Sequence, residues 1–209
     1  LSLPGSFCMP VLTGPQYSID IAVCNGVVSW HYAMLEHVDD HGSFTLFENV
    51  DAPESVWDAA ERWIHHNFRR HTGIINLEII DGVVIESHQR MSPQFIDLYG
   101  NGWLENVITL YTERRWEYHP TSPKGYSIPV RIKKRGNQTY EFSQQLVSAI
   151  TANASSVQVF TDARDYLFND NQTIRLAIVN CFDLKFGQTA KDLLLEDLHV
   201  VSRRRTNAS

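Results

Sequence analysis

Two dipeptides, Asn25-Gly26 and Asp81-Gly82, each lie between runs of residues that alternate apolar and polar, and this pattern folds a chain back on itself as antiparallel strand pairs. Gln16 to Val23 alternates with Tyr17, Ile19 and Ile21 on one side, and Val27 to Met34 returns after the first turn. Gly73 to Ile80 and Val83 to Arg90 flank the second. Between the hairpins, Asp51 and Pro53 open a helix in which Val56, Ala60, Trp63, Ile64 and Phe68 recur at helical spacing through Arg70. Pro93 opens a second helical stretch through Leu98, Leu104, Val107, Ile108 and Tyr111. Strand, strand, helix, strand, strand, helix is an α+β order, since parallel doubly wound folds alternate single strands with helices.

After Pro120 and Pro123 the pattern restarts. Strands are expected at Tyr126 to Lys133, Val157 to Phe160 and Ile174 to Cys181, with helices near Glu141 to Ala152 and Thr189 to Leu198. The expected division is a first unit over residues 1–118 and a smaller α+β unit over 119–209, with no internal repeat. Hydrophobic residues at 43% and charged ones at 20% suit a globular chain rather than a disordered one.

The formal charge of −6 argues against a nucleic-acid binder, whose affinity comes from Lys and Arg neutralising phosphates. The basic runs Arg131, Lys133, Lys134, Arg135 and Arg203 to Arg205 lack interleaved aromatics and read as solvated strand and tail charges, with an anion site as the minority reading. Cys8, Cys24 and Cys181 make an odd set without C-x-x-C spacing, which favours a reducing cytoplasmic setting over a disulfide framework or zinc knuckle. Sequons begin at Asn137, Asn153, Asn171 and Asn207, but no signal peptide precedes them. No apolar run approaches the ~20 residues that span a bilayer.

The chemistry concentrates on the second hairpin. Alternation puts Asn76 and Glu78 on one strand face and Ile75, Leu77 and Ile79 on the other; on the next strand Glu86, His88 and Arg90 share a face. A solvent-exposed sheet face fits the same pattern. Register separates the two readings, because a two-residue Asp81-Gly82 loop pairs Glu78 with Ile85, and only a three-residue loop or a bulge sets Glu78 against Glu86. If the glutamates meet, both stay ionised cheaply only around a cation, and magnesium, with its preference for carboxylate, phosphate and water oxygens, is the natural one. Arg90 offers a fixed fork of donors to a carboxylate or phosphoryl group.

Three segments together resemble the ATP-grasp superfamily, nearest its amino-acid ligase and biotin-carboxylase-like branches. Gly14-Pro15-Gln16-Tyr17-Ser18-Ile19-Asp20 is similar to the family's G-P-E-Y-S-V-D strand after the adenine hinge, Asn76-Leu77-Glu78-Ile79-Ile80 to the strand bearing the first metal glutamate, and Ile85-Glu86-Ser87-His88-Gln89-Arg90 to I-E-x-N-x-R. Ile96-Asp97-Leu98-Tyr99-Gly100 also fits, so the resemblance covers residues 1 to about 115. Arg175 through Leu195 looks like the small C-terminal domain of the amino-acid ligases. The implied fold is the ATP-grasp C-terminal subdomain, a mixed, mainly antiparallel sheet with flanking helices, followed by a small C-terminal α+β domain.

The resemblance implies an ADP-forming ligase using ATP and Mg2+, in which a carboxylate substrate becomes an acyl phosphate and an amine displaces the phosphate. Glu78, Glu86 and His88 would hold the metal, Arg90 would act on the acyl phosphate, Met9, Pro10 and Val11 would form the adenine hinge, Gln16 would face the ribose and Ile80 would pack on the base. Partners implied are small-molecule carboxylate and amine substrates and the N-terminal and lid half of the same enzyme, with no nucleic acid or membrane and with a homodimer as a conceivable assembly. The alternative is a catalytically silent ATP-grasp-like module. Three departures from the family pattern stand out: Gln16 in place of a glutamate, His88 in place of an asparagine, and no evident basic residue near Met34 to Glu36, where His41 is a loose substitute. His65, His66 and His71 read as a helix face and its exit rather than a metal site, and Trp57, Trp63, Trp103 and Cys181 as core.

Overall fold

In the computed structural model the described residues are 11–40, 42–117, 124–133, 138–160 and 173–201, with the backbone of 167–168. Both predicted hairpins form: β1 (Gln16–Cys24) with β2 (Val27–Val38), and β4 (Gly73–Ile80) with β5 (Val83–His88). Between them come β3 (Phe44–Asn49) and α1 (Glu54–Asn67). A 3₁₀ turn (Ile96–Leu98) and α2 (Trp103–Glu113) follow, then β6 (Tyr126–Lys133), β7 (Thr139–Glu141), α3 (Gln144–Thr151), β8 (Ser156–Val159), β9 (Leu167–Phe168), β10 (Thr173–Cys181), α4 (Leu184–Glu196) and β11 (His199–Val201).

One sheet runs through both halves of the chain in the order β5-β4-β1-β2-β3-β6-β10-β8, with β9 also on β10, and its described pairings are antiparallel. The link between the halves is short: β3 meets β6 through Phe47 opposite Ser127 and Glu48 opposite Tyr126. β7 and β11 form a separate pair.

The two faces of the sheet are chemically different. Tyr17, Ile19, Ile21, Ala33, Ile75, Leu77 and Ile79 pack under α1 through Val56, Ala60 and Ile64, and on the same side Ile128, Val130, Ala177 and Val179 pack with residues of α3 and α4. The opposite face carries Ala22, Trp30, Tyr32, Met34, Phe47 and Ile74, covered by Phe95, Leu98, Tyr99, Trp103, Val107 and Leu110 of the segment after β5. Beyond that apolar patch the second face is polar.

Several expectations are corrected. No strand was expected at Phe44–Asn49, yet it bridges β2 to the second half. The stretch from Pro93 is not one helix, because Gly100 and Gly102 take positive φ of 89° and 84° and break it before Trp103. The last helix starts at Leu184 rather than Thr189, capped by Asp183, which accepts from the Phe186 N–H at 2.9 Å. Among the described residues no helix is long and apolar enough to cross a membrane.

Candidate metal and nucleotide site

Both hairpins use the same local device. Asn25 and Gly26 have φ of 50° and 82°, Asp81 and Gly82 φ of 51° and 71°, the paired left-handed conformations of a two-residue turn. Each then carries a bulge. Val23 pairs with Val28 but Ala22 with Trp30, leaving Ser29 extra; Ile79 pairs with Val84 but Glu78 with Glu86, leaving Ile85 extra. In each case the extra residue comes three positions after the glycine. The second bulge is what sets the two glutamates opposite one another, since the turn alone pairs Glu78 with Ile85.

The polar face is therefore ordered in rows across adjoining strands. Gln16 stands between Glu36 and Ile80; Ser18 between Met34 and Glu78, with Glu86 beyond; Asp20 between Tyr32 and Asn76, with His88 beyond. Successive rows are ~7 Å apart. Glu78, Glu86 and His88 each offer a ligand atom, and these atoms lie within 4.8 Å of one another. His88 Nε2 is 2.9 Å from Glu86 Oε1, and the Gln16 amide donates to Glu78 Oε2 at 3.3 Å. Burial and then the charge of Glu86 raise the Glu78 carboxyl above its ordinary range, while His88, the Gln16 bond and Arg90 draw it back.

That donor set fits a divalent cation. Two carboxylates and an imidazole can close on one ion, which would relieve the like-charge pair that raises Glu78. Arg90 lies just past β5 with Nη1 donating to the Met91 carbonyl at 3.0 Å, and its charge reaches both Glu78 and Asp20. Ile80 occupies the Gln16 row, where a flat base could stack beside the metal row. Val11 is exposed, and Met9 and Pro10 lie outside the described residues, as do His41, Lys134, Arg135 and Arg203 to Arg205.

Two carboxylates went unassigned in the sequence. Asp20 is fully buried and accepts from Asn76 Nδ2 at 2.8 Å, from the Ser92 N–H on both oxygens at 3.0 and 2.9 Å, and from the Tyr99 hydroxyl. Burial pushes its pKa up to about 7 against the opposing pull of the Tyr99 and Asn76 bonds, the Ser92 N–H and Arg90. It ties the segment after β5 to the sheet. From there Asp97 accepts from Ser156 Oγ at 2.6 Å and Gln158 Nε2 at 2.8 Å, and the Gln94 carbonyl from Asn180 at 2.9 Å, so the segment that carries Arg90 into α2 is fastened to both halves. Glu36, the other, is 8% exposed with Oε2 buried and without a hydrogen-bond partner among the described residues. Burial, then the charges of Glu78 and Glu86, pushes its pKa up to about 8. Counting register across the first hairpin with a bulge would have placed Glu36 on this face; counting without one pairs Gln16 with Leu35 instead.

No protein-family model matches the chain, and no curated protein matches it in sequence. Solved structures do match in fold. The L-amino acid ligase of Bacillus licheniformis superposes with a TM-score of 0.60 at 14% identity over 92% of this chain and 53% of its own. The phosphoribosylamine–glycine ligase of Thermotoga maritima gives 0.58 at 13% identity, over 91% and 54%. The N5-carboxyaminoimidazole synthase of Aspergillus clavatus, in complex with ADP and an aminoimidazole ribonucleotide, gives 0.54 at 9% identity, over 87% and 51%. The chain spans about half the length of each. With the sheet order, the paired glutamates and these superpositions together, the chain has the ATP-grasp fold.

Proposed function

We propose that this chain is the metal- and phosphate-facing part of an ATP-dependent, ADP-forming ligase that joins a carboxylate to an amine. The observation that carries the reading is the bulge-set pairing of Glu78 with Glu86, with His88 in reach of both. The matched structures include an L-amino acid ligase, a phosphoribosylamine–glycine ligase and a synthase in complex with ADP, which supports a nucleotide-using ligase.

In this reading Glu78 and Glu86, with His88 beside them, would hold magnesium, which would supply positive charge to the nucleotide phosphates. Gln16, Ile80 and Val11 line the nucleotide side, with Met9 and Pro10 completing the hinge. The substrate carboxylate oxygen attacks the γ-phosphorus, the bond to the β,γ-bridging oxygen breaks and ADP leaves. The amine nitrogen then attacks the acyl carbon and inorganic phosphate leaves. Arg90, anchored on the Met91 carbonyl, places its remaining N–H donors toward the transferring group. The chain's contribution is orientation and charge, with the reaction also drawing on the half of such ligases that it does not match.

A silent module is the second reading, and two contacts favour it. The Gln16 amide donates to Glu78, where a ribose-facing group would point at the ligand, and His88 is engaged by Glu86. Calorimetric titration with ATP, with and without magnesium, on this chain and on a Glu78→Ala, Glu86→Ala variant decides between them. Magnesium-dependent binding that vanishes in the variant is expected. Binding indifferent to both magnesium and the substitutions would remove the metal centre, and no binding of ATP with or without magnesium would favour the silent module.

A further inference from the structure

Glu36 is a buried acid without an evident employer. Its strand is internal to the sheet, its side chain is 8% exposed, and its Oε2 is shut from solvent with no hydrogen-bond partner among the described residues. A buried carboxyl oxygen without a partner carries an uncompensated desolvation cost, which a bound group would relieve. The bulge at Ser29 turns Glu36 onto the face that the bulge at Ile85 gives to Glu86, in the row beside Glu78. The charges that act on it are those of Glu78 and Glu86, both of its own sign. Three carboxyls thus share one face, Glu78 and Glu86 in one row and Glu36 in the next.

We propose that Glu36 is the third carboxylate of the cation centre, its carboxyl turning toward the ion to accept from a water on it, and that it lets the chain bind a divalent cation without nucleotide. The contact runs through water because the groups that meet within 4.8 Å are Glu78, Glu86 and His88 and do not include Glu36. A centre with two carboxylates normally draws its remaining oxygens from nucleotide phosphates. A third fixed carboxyl supplies charge and an acceptor in their place, as outer carboxylates do at other metal sites. This inference rests on the metal reading of Glu78 and Glu86.

The test is titration of the chain with Mn2+ alone, followed by electron paramagnetic resonance, in the absence of nucleotide. The parent chain is compared with Glu36→Gln, Glu36→Asp and Glu78→Gln, and thermal melting of each reports folding. The expected result is binding by the parent, loss in Glu78→Gln, at least tenfold weaker binding in Glu36→Gln with an unchanged melting temperature, and recovery of most of the affinity in Glu36→Asp. A purely structural Glu36 would move the melting temperature and leave the ion untouched. Parent-like Mn2+ affinity in Glu36→Gln overturns the inference and spares the metal reading; no Mn2+ on the parent chain overturns nucleotide-independent binding. Undiminished binding in Glu78→Gln moves the ion off these strands and overturns both.

Discussion

Asp20 and Glu78 stand one row apart on the same face of adjoining strands, and their carboxylates have opposite fates. Asp20 is sealed under Tyr99 and Ser92 and every donor near it is aimed inward. Glu78 accepts a single long bond from Gln16 and faces a second carboxylate. A satisfied buried acid holds a fold together, whereas acids held close without enough donors store repulsion that a ligand can release. The boundary between structure and function here is a single row, ~7 Å along the strand direction, between two paired strands.

Removing Asp20 should break the comparison most severely. In Asp20→Ala the Tyr99 hydroxyl, the Ser92 N–H and one bond of Asn76 lose their acceptor in a dry interior, and the expected loss is about 3 to 5 kcal/mol in urea unfolding. Asp20→Asn keeps an acceptor and the shape of a protonated acid and should cost far less. Near-equal losses in the two variants would mean that shape is irrelevant at this node.

The pH dependence should follow with a sign unusual for aspartate. The folded-state pKa is raised, from 3.8 to about 7, so between those values the folded protein holds a proton that the unfolded chain has released. Stability of the metal-free protein therefore declines as pH rises through that window, by on the order of a few kcal/mol. Asp20→Asn should remove about half of the decline and leave the comparable one that Glu36 extends to about 8. Tyr99→Phe removes a bond that lowers the Asp20 value, so the decline should continue to higher pH. A metal-free stability that rises across the window would show Asp20 ionised throughout.

On the neighbouring row the sign reverses. Replacing both Glu78 and Glu86 by Gln removes a like-charge pair directly across the strands, and the metal-free variant should be more stable by roughly 0.5 kcal/mol, small because Glu86 is largely in solvent. The same variant should lose whatever stabilisation magnesium or manganese gives the parent, read as a melting shift with and without the ion. A destabilised double variant would mean that these acids serve the fold as Asp20 does.

What could be read from the sequence follows the period of two. Alternation put Ile75, Leu77 and Ile79 into the core and Asn76 and Glu78 on the opposite face, and Asn25-Gly26 and Asp81-Gly82 marked both turns, because each signal lies within a few adjacent residues. The α+β class and the ATP-grasp resemblance came from the order of these pieces, and the superpositions agree with both. Strand β3 was missed because Phe44-Thr45-Leu46-Phe47-Glu48-Asn49 is short and only partly alternating, and because its worth lies in pairing with β6, some eighty residues on. Asp20 and Glu36 were missed for a different reason. Nothing local distinguishes an acid that meets Tyr99 from one that meets Glu78, and Glu36 reaches the face only if one residue is left out of register at Ser29.

That last dependence gives the smallest and sharpest test. If the bulge exists to oppose Glu78 and Glu86, then deleting Ile85 removes the extra residue and leaves the pairings of Ile80 with Val83, Ile79 with Val84 and Glu78 with Glu86 in place. The residue lost is 38% exposed on an edge strand, so the cost in stability should stay below ~1 kcal/mol. Mn2+ affinity should change by less than about threefold, since the donors keep their row even as the local twist relaxes. A deletion variant that melts like the parent yet no longer binds the ion would show that the centre needs the twist of the bulge as well as the register. The distinction between Asp20 and Glu78 would then rest on strand shape rather than on which residues face each other.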